Sequence, residues 1–381
     1  MTASMSRAMP VRMALTHTVL MYGVVAAALM LVACSDPPTD SSDPATAAPA
    51  ATPSAHAAIA DAAIADAVLA PAAAGTWRSR ATMPSDRFNV AAAVVTDAQG
   101  RSTLYAIGGK NPGSTAPFGS GGLTTVQAYR SATNSWITRA PLPRPLQFTN
   151  GAVAINGKIY VSGGVAGYKN YRTELLVYDP AANSWTEKRP MPRPTYEGTS
   201  AAIDGKLYVL SSCHGQEDCW NVPSPDLSFY RYDPATEQWA SLPIPPSHRV
   251  HANAVAGAIG GKFYVVGGHF DGENVLDIYD PATRQWSTGP AMGSKRESAA
   301  GGAVNGKLYV IAGYIPLPSA PYYRAVATTS VYDPATNQWQ NLAPAPFEGG
   351  ARGAGRVLAG GQVRIDVGGG PRPANHWQFT P

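Results

Sequence analysis

One eight-residue phrase recurs along this chain and constrains its fold more than any other feature. The phrase begins with Tyr-Asp-Pro-Ala and ends with Trp, and it occupies residues 178–185, 232–239, 279–286 and 332–339. A weaker copy ends at Trp136, so that five tryptophans lie 49, 54, 47 and 53 residues apart. A period of about 50 residues predicts repeated structural units, each of which packs mainly on its neighbours.

Each copy of the phrase follows a tight turn and a short apolar strand. The turns are Asn-Gly, Asp-Gly or Gly-Gly, each followed by Lys and an apolar run, at residues 156–164, 204–209, 260–268 and 305–310. Such dipeptides tolerate the positive φ of two-residue hairpin turns, and the apolar runs are typical of strands. In Asp-Pro-Ala, Pro sets φ and the Asp side chain can accept a hydrogen bond from the backbone ahead. The pattern predicts four short antiparallel strands per repeat.

Composition and charge agree with a turn-rich β protein and exclude some classes of partner. The 381 residues include 38 Gly and 34 Pro, which favours many turns and little helix. Residues 75–381 carry 27 basic and 20 acidic side chains, a mild positive bias. Because no Lys/Arg run, helix-turn-helix pattern or aromatic RNA motif occurs, we expect no nucleic-acid partner.

The recurring motifs resemble those of the kelch family. The resemblance rests on the repeat length, on the Gly-Gly pairs at the ends of second strands, and on Tyr and Trp at fixed offsets, and it covers roughly residues 75–381. It implies an all-β fold, a kelch-type β-propeller with one four-stranded sheet per blade around a central channel. The sequence departs from the pattern where Ser211-Ser212 and Ala312-Gly313 replace Gly-Gly, and where Arg364 replaces Tyr.

The two ends of the repeat region predict how the ring closes. Residues 75–84 match only a fourth strand, and the last repeat stops after a third strand at residues 377–381. We therefore expect the N-terminal strand to complete the last blade, which would remove free sheet edges. Tryptophans at positions 77, 136, 185, 239, 286 and 339 predict six blades, with seven as the alternative.

Residues 1–33 have the pattern of a secretory signal peptide. Two arginines precede a long apolar run, Met13 to Ala33, and Leu31-Val32-Ala33-Cys34 resembles a bacterial lipobox. The resemblance implies that Cys34 is lipidated and becomes the first residue of the mature protein. The resemblance to enterobacterial lipoproteins further implies sorting to the outer membrane, because Ser and not Asp follows Cys34. An uncleaved signal anchor with an incidental Cys is the alternative.

Residues 34–74 are predicted to be a disordered tether between the lipid and the propeller. They are rich in Ala, Pro, Ser and Thr, contain no aromatic residue and include only scattered large aliphatic ones. Such a segment buries too little apolar area to offset the entropy lost on ordering. We therefore expect a monomer held to the membrane by the lipid on Cys34, in the bacterial cell envelope, facing the periplasm or the cell surface.

The other two cysteines, Cys213 and Cys219, flank a five-residue loop in the third repeat. In an oxidising compartment the expected state is a disulfide between them. A metal site that uses both cysteines, His214 and a carboxylate is the alternative reading. We predict no cofactor and no metal, because a galactose-oxidase-like copper centre would need a separate Cys bonded to a Tyr ligand.

Polar side chains near the starts of the repeats form the candidate binding site, on the face where the longer and more varied loops are expected. The ligand-binding candidates are Arg87, Asn150, Tyr196, Glu197, Arg249, His251, Arg296, Glu297 and Arg352. Arginines in such positions can alternatively brace neighbouring blades by donating to backbone carbonyls. No catalytic triad, phosphate-binding loop or zinc-protease motif is present in the sequence.

Two functions remain open from the sequence. The first is a binding or scaffold module for a glycan, a small ligand or an envelope protein. The second is a sugar-acting enzyme that resembles the kelch-type sialic acid mutarotase, in which a carboxylate such as Glu197 or Glu297 beside Arg249 or His251 would supply the acid and base.

We expect Cys34→Ser to abolish lipidation. A hydroxyl cannot replace the thiol that accepts the lipid, so the variant should accumulate as an uncleaved precursor or as a released protein. Metabolic labelling with radioactive palmitate followed by immunoprecipitation measures this, with the unchanged chain as the control. Undiminished label on the variant would show that the lipobox interpretation is wrong.

Overall fold

The computed structural model describes residues 75–381 apart from nine gaps. The gaps are residue 88 and residues 112–119, 212–226, 247–250, 269–273, 318–322, 350–357, 361–363 and 369–374. All described residues lie within one of the two units of the chain, Ala62–Pro381. In these ranges no helix is both long enough and apolar enough to cross a membrane. The predictions for residues 1–74, Cys213, Cys219, Arg249 and Arg352 fall outside the described residues.

The described chain is built from short antiparallel strands. It begins with β1 (Thr76–Arg80) and continues into five four-stranded sheets, each of which is formed by one continuous stretch of chain. The first sheet contains β2 (Ala91–Thr96), β3 (Ser102–Ile107), β4 (Val126–Arg130) and β5 (Ser135–Arg139). The second contains β6 (Ala152–Ile155), β7 (Lys158–Ser162), β8 (Leu175–Asp179) and β9 (Ser184–Lys188). The third contains β10 (Thr199–Ile203), β11 (Lys206–Ser211), β12 (Ser228–Asp233) and β13 (Gln238–Ser241).

Two further sheets continue this order along the chain. The fourth sheet contains β14 (Val255–Ile259), β15 (Lys262–Val266), β16 (Leu276–Asp280) and β17 (Gln285–Thr288). The fifth contains β18 (Ala300–Val304), β19 (Lys307–Ile311), β22 (Thr329–Asp333) and β23 (Gln338–Leu342). Between β19 and β22 the chain forms a separate two-stranded ribbon, β20 (Tyr314–Pro316) and β21 (Tyr323–Ala325).

A composite sheet joins the two ends of the described chain. It contains β24 (Leu358–Gly360), β25 (Arg364–Gly368) and β26 (His376–Thr380), and β1 pairs with β26 on its outer side. Trp77 on β1 lies opposite Phe379, as Trp185 lies opposite Tyr178 in the second sheet. The prediction that the N-terminal strand completes the last sheet is therefore confirmed, with Phe379 in the place of the recurrent Tyr.

The sheets are arranged as a β-propeller. The innermost strands β2, β6, β10, β14 and β18 contact one another in chain order, and β24 contacts both β18 and β2. Neighbouring sheets pack through apolar side chains, such as Phe229 of the third sheet against Phe263 of the fourth, with ring centroids 5.2 Å apart. The all-β propeller predicted from the repeats is confirmed.

The repeated Trp ties each blade to the one before it. On the outermost strand of every sheet, the Trp indole N–H donates to a carbonyl that follows the outermost strand of the preceding sheet, at 2.7–3.1 Å. The pairs are Trp77 with Ala343, Trp136 with Ala81, Trp185 with Ala140, Trp239 with Arg189, Trp286 with Pro243 and Trp339 with Pro290. The repeat therefore encodes contacts between blades as well as strands within them.

The turns inside each blade form as the sequence predicted. The Tyr of each phrase packs on the Trp opposite it, with ring centroids 4.9–5.4 Å apart in the first five sheets. The Asp of the phrase accepts a hydrogen bond from the backbone N–H two residues ahead, for example Asp179 from Ala181 at 2.9 Å. The Lys after the hairpin turn pairs with that Asp, as in Lys158–Asp179 at 3.0 Å. Backbone and lysine hydrogen bonds together lower the pKa of Asp179 below its ordinary value.

The Gly-Gly pairs form a second connection between blades. The N–H of Gly164 donates to the carbonyl of Thr195 in the next inter-blade loop, at 2.7 Å. Gly163 has φ of 62°, and a Cβ there would collide with the same carbonyl oxygen. Only glycine fits this position without strain, because it lacks Cβ and tolerates positive φ. In the fifth blade Ala312 adopts φ of 55° at the equivalent place, at some conformational cost.

Deleting residues 76–80 in the full-length chain should destabilise the propeller. The deletion removes β1 together with the packing and hydrogen bond of Trp77, so we expect a loss of at least about 3 kcal/mol. For a domain of this size the melting temperature should fall by roughly 5 °C. Deleting residues 35–70, which precede the described fold, is the control and should change the melting temperature little. Equal melting temperatures for the two deletions would contradict closure by β1.

Candidate functional site

The inter-blade loops, which join the outermost strand of one blade to the innermost strand of the next, carry most of the candidate residues. In each of the first five blades a residue just before the innermost strand adopts φ of 49–53°. These residues are Asn89, Phe148, Glu197, Asn253 and Ser298. A left-handed backbone at non-glycine residues costs energy and is maintained by the surrounding contacts. Two such contacts are the hydrogen bonds from Glu197 N–H to Phe148 and from Asn253 N–H to Glu197, at 2.9 and 2.8 Å.

Arg87 is an internal brace of the first blade. Its side chain is fully buried and donates from Nη1 to the carbonyls of Gly108 and Thr125, at 2.8 and 2.9 Å. Nη2 donates to Gln127 Oε1 at 2.8 Å. Burial lowers the pKa of Arg87 to about 10, so the guanidinium stays charged at neutral pH. Arg87 therefore connects the inter-blade loop to the ends of β3 and β4.

Arg296 has the equivalent position in the fifth blade. It is 2% exposed, and Nη1 donates to the carbonyls of Ala312 and Thr328, at 2.9 and 3.3 Å. Nη2 donates to Ser294 Oγ at 2.8 Å. These contacts agree with the alternative role given above for such arginines, which is to brace the blades by donating to backbone carbonyls. The guanidinium faces its own blade and not the solvent.

His251 takes the same position in the fourth blade. Nδ1 lies 2.9 Å from the carbonyl oxygen of Gly267, and Nε2 lies 3.2 Å from Asp277 Oδ2. Both side chains are completely buried. Asp277 also accepts a hydrogen bond from Thr288 Oγ1 at 3.0 Å.

Asn150 joins the second and third blades. Its Nδ2 donates to Thr195 Oγ1 at 2.6 Å, and its Oδ1 accepts from the N–H of Gly198 at 3.0 Å. The carbonyl of Asn150 accepts from Ser200 Oγ at 2.7 Å. The side chain is fully buried, so the amide orders the loop that contains Tyr196 and Glu197.

Tyr196, Glu197 and Glu297 are also buried. The ring of Tyr196 stacks on Tyr171, with centroids 4.8 Å apart and an interplanar angle of 20°. Glu197 and Glu297 are 4% and 2% exposed. The backbone of Glu297 forms a bridge with Tyr314, which places this residue beside the β20–β21 ribbon. The backbone of Glu197 is instead hydrogen-bonded to the neighbouring inter-blade loops, through Phe148 and Asn253.

The described residues present one strongly exposed large aromatic side chain, that of Tyr168, which is 61% exposed. It lies in the loop between β7 and β8. There Ala166 N–H donates to Asn170 and Asn170 N–H donates to Gly167, at 3.0 and 3.1 Å. Lys169 Nζ lies 5.7 Å from the centre of the Tyr168 ring. Because Val165 pairs with both Gln147 and Tyr171, this tip is fixed to the inter-blade loops.

An ion-pair cluster at the second blade was not among the predicted site residues. Glu174 contacts Arg144 and Arg172, and Arg144 also contacts Glu187 at 2.9 Å. Burial alone would raise the pKa of Glu174, but the hydrogen bond and charge of Arg172 and the charge of Arg144 bring it below its ordinary value. The sequence signal was weak, because Arg144 and Glu174 are 30 residues apart and Glu174 does not recur in the other repeats.

Within the described ranges, no three His, Cys, Asp or Glu side chains are grouped so as to hold a metal ion. The loop with Cys213, His214 and Cys219, together with Arg249 and Arg352, falls in the gaps. The described site therefore consists of buried braces beneath the inter-blade loops and of a few outward-facing groups above them.

Comparison with known proteins agrees with this architecture. The Kelch motif matches residues 150–192, 251–293 and 295–346. The solved structure of YjhT superimposes with a TM-score of 0.61 at 15% identity, covering 77% of this chain and 94% of that one. That level of identity shows the shared fold alone. The chain carries kelch motifs on a kelch-type β-propeller.

Curated relatives with similar sequences have diverse names. Kelch-like protein terF of Aspergillus terreus is 28% identical over 259 residues, which are 64% of this chain and 54% of that protein. N-acetylneuraminate epimerase 1 of Escherichia coli is 29% identical over 232 residues, 61% of this chain and 56% of the relative. N-acetylneuraminate epimerase of Haemophilus influenzae is 29% identical over 234 residues, 60% of this chain and 54% of the relative. The chain thus spans about half the length of these relatives.

If Arg296 is a brace, Arg296→Ala should lower the free energy of unfolding by about 2–3 kcal/mol, because buried carbonyls lose a charged donor. Chemical denaturation followed by tryptophan fluorescence measures this. Arg78→Ala is the matched control, since Arg78 is exposed on β1, and it should stay within about 0.5 kcal/mol of the unchanged chain. A variant of Arg296 as stable as this control would exclude the bracing role.

Proposed function

We propose that this protein is a binding module whose ligand contacts the face formed by the inter-blade loops and the loops after second strands. The observation that carries the proposal is Tyr168, whose ring is 61% exposed on a hydrogen-bonded tip. The tip leads through Tyr171 to the stacked ring of Tyr196, beside Glu197. An exposed aromatic ring on an ordered loop can pack against an apolar surface of a ligand without a large ordering cost.

The ligand class that fits this tip is a glycan or a small sugar acid. A tyrosine ring covers the C–H face of a sugar, and the ammonium of Lys169 next to it suits a carboxylate. The proposal relies less on Arg87 and Arg296, because their hydrogen bonds run to backbone carbonyls of their own blades. We also propose Arg249 and Arg352, which lie outside the described residues, as further donors for an anionic group.

The proposal also covers the number of blades, the membrane anchor, the disulfide and the cellular location of the module. We propose that the composite sheet is the sixth blade of one closed ring, which is supported by the six tryptophan hydrogen bonds and by the contacts of β24 with β18 and β2. We further propose a lipid on Cys34, a tether over residues 34–74, a Cys213–Cys219 disulfide and a place in the bacterial envelope. The motivation for these is the sequence pattern of the leader and of the cysteine loop.

A sugar-acting enzyme is the second candidate. It is favoured by the similarity to two N-acetylneuraminate epimerases, and by the positions of Glu197 and Glu297 at blade starts. Exchange of anomers requires a base that takes the proton of the anomeric hydroxyl while the ring C–O bond breaks and the ring oxygen gains a proton. Reclosure on the other face of the new carbonyl then gives the second anomer. Carboxyl groups can serve in both roles.

One NMR titration tests both candidates on the full-length chain in detergent, with N-acetylneuraminate and glucuronate as probes. We expect Tyr168→Ala to weaken binding about 3- to 10-fold, the equivalent of roughly 0.5–1.5 kcal/mol of aromatic contact. Tyr168→Phe, which keeps the ring, is the control and should bind like the unchanged chain. Because Tyr168 is exposed, neither variant should alter the melting temperature.

The outcomes separate the candidates. Binding without accelerated exchange between anomeric signals supports the module. Accelerated exchange that Glu197→Gln or Glu297→Gln abolishes, with binding retained, supports the enzyme. Identical affinities for Tyr168→Ala and the unchanged chain would remove Tyr168 from the proposed site.

A further inference from the structure

The Tyr168 tip, residues 166–170, needs support from outside its own turn. Gly167 and Lys169 adopt φ of 137° and 52°, and at Lys169 the left-handed backbone is strained because this residue carries a side chain. Tyr168, Lys169 and Asn170 are all exposed, so apolar packing contributes little to holding them. The bridges of Val165 fix the base of the turn. The exposed residues beyond it therefore depend on a further polar contact.

Arg172 supplies a side-chain contact of this kind. Its Nη1 donates to Asn170 Oδ1 at 3.0 Å, while Nε donates to Glu174 Oε2 at 2.9 Å and Nη2 contacts Glu174 Oε1. The backbone of Arg172 is fixed as well, because its N–H donates to the carbonyl of Gly164 at 2.9 Å and its carbonyl accepts from the N–H of Thr195 at 3.1 Å. The guanidinium therefore connects the tip to the residue that precedes β8.

Glu174 sets the orientation of this guanidinium. Its side chain is 9% exposed, and it also contacts Arg144 from the inter-blade loop before β6. Burial would raise the pKa of Glu174, but the hydrogen bond and charge of Arg172 and the charge of Arg144 bring it below its ordinary value, so the carboxylate is ionised at neutral pH. Because a guanidinium is planar, its two bonds to one carboxylate fix the direction of the remaining Nη1 arm. That arm is the one that reaches Asn170.

We propose that Arg172 is the positioning residue of the ligand site, which holds Asn170, and through it the ring of Tyr168, in the orientation that receives a sugar. This inference rests on the proposed function, because it takes Tyr168 as the group that contacts the ligand. Arg172 acts through the tip and not by touching the ligand. A lysine in its place keeps the positive charge but loses the planar fork. Arg172→Lys therefore separates positioning from simple attraction of an anionic ligand.

Hydrogen–deuterium exchange measures the order of the tip without any ligand. The full-length chain is studied in detergent, by mass spectrometry of peptides that cover residues 165–172, with each rate compared with the intrinsic rate of its own sequence. We expect Arg172→Lys and Asn170→Ala to speed exchange of the tip amides at least about 10-fold, because an unsupported turn opens more often. Asn170→Asp is the matched control. It keeps an oxygen that accepts from Arg172, so the tip should stay as protected as in the unchanged chain.

Binding of N-acetylneuraminate to the same variants measures what this order contributes to recognition. We expect Arg172→Lys to weaken binding about 3-fold, because the tip must then be ordered at the moment of binding. In the Tyr168→Ala background the same substitution should weaken binding no further, since a residue that acts through the ring has nothing left to position. The melting temperature of each variant shows that it is folded.

The outcomes distinguish a failure of this inference from a failure of the proposed function. Unchanged protection of the tip in both Arg172→Lys and Asn170→Ala would overturn the positioning role, even where the unchanged chain binds the sugar. An equal loss of affinity with and without the Tyr168 ring would also overturn it, because Arg172 would then contact the sugar directly. Loss of protection in the variants, with no binding of N-acetylneuraminate by the unchanged chain, would reject the proposed function and leave Arg172 as the residue that orders the tip.

Discussion

The hydrogen bond between each outer-strand Trp and the preceding blade is the interaction on which the architecture depends. A single four-stranded sheet of about twenty residues cannot bury its own apolar faces. The indole of Trp185 packs on Tyr178 within its own sheet and donates to Ala140 of the sheet before it. One side chain therefore stabilises its own sheet by packing and fixes the position of the preceding sheet by a hydrogen bond. Trp77 of the N-terminal strand makes the same bond to Ala343. The composite sheet, which contains both ends of the described chain, is therefore held to the fifth sheet in the same way as the other sheets are held to their neighbours.

The same reasoning explains why the fold could be predicted from the sequence. Residues such as Gly163 and Trp185 have counterparts that make the same contacts in several blades. Their regular spacing in the sequence therefore indicates the repeated fold. The β20–β21 ribbon escaped prediction because it occurs in one blade only and has no repeated counterpart. The Arg144–Glu174 contact was missed for the same reason, since a pair that meets once leaves no periodic trace.

The candidate site was harder to predict because residue type does not reveal where a guanidinium points. Arg87 and Arg296 have the chemistry of anion-binding groups, yet both donate to carbonyls of their own blades. A further signal was available in the sequence. Arg296 and His251 each lie 16 residues before the residue that follows the second strand. A polar side chain that recurs in phase with the repeat is expected to support the repeat, as glycine and tryptophan do.

The distinction between side chains that recur in every repeat and side chains that occur once also indicates which residues can determine ligand specificity. Repeated positions are constrained by packing in every blade, because a change at Arg87 or His251 disturbs buried backbone groups. Positions that occur once, such as Tyr168 and Lys169, lack this constraint, and the Tyr168 ring leaves the packed interior altogether. The braces hold the inter-blade loops in fixed positions, so the single-copy tips above them can vary in sequence at little cost to the fold. Recognition by this propeller should therefore be encoded in the residues that break its periodicity.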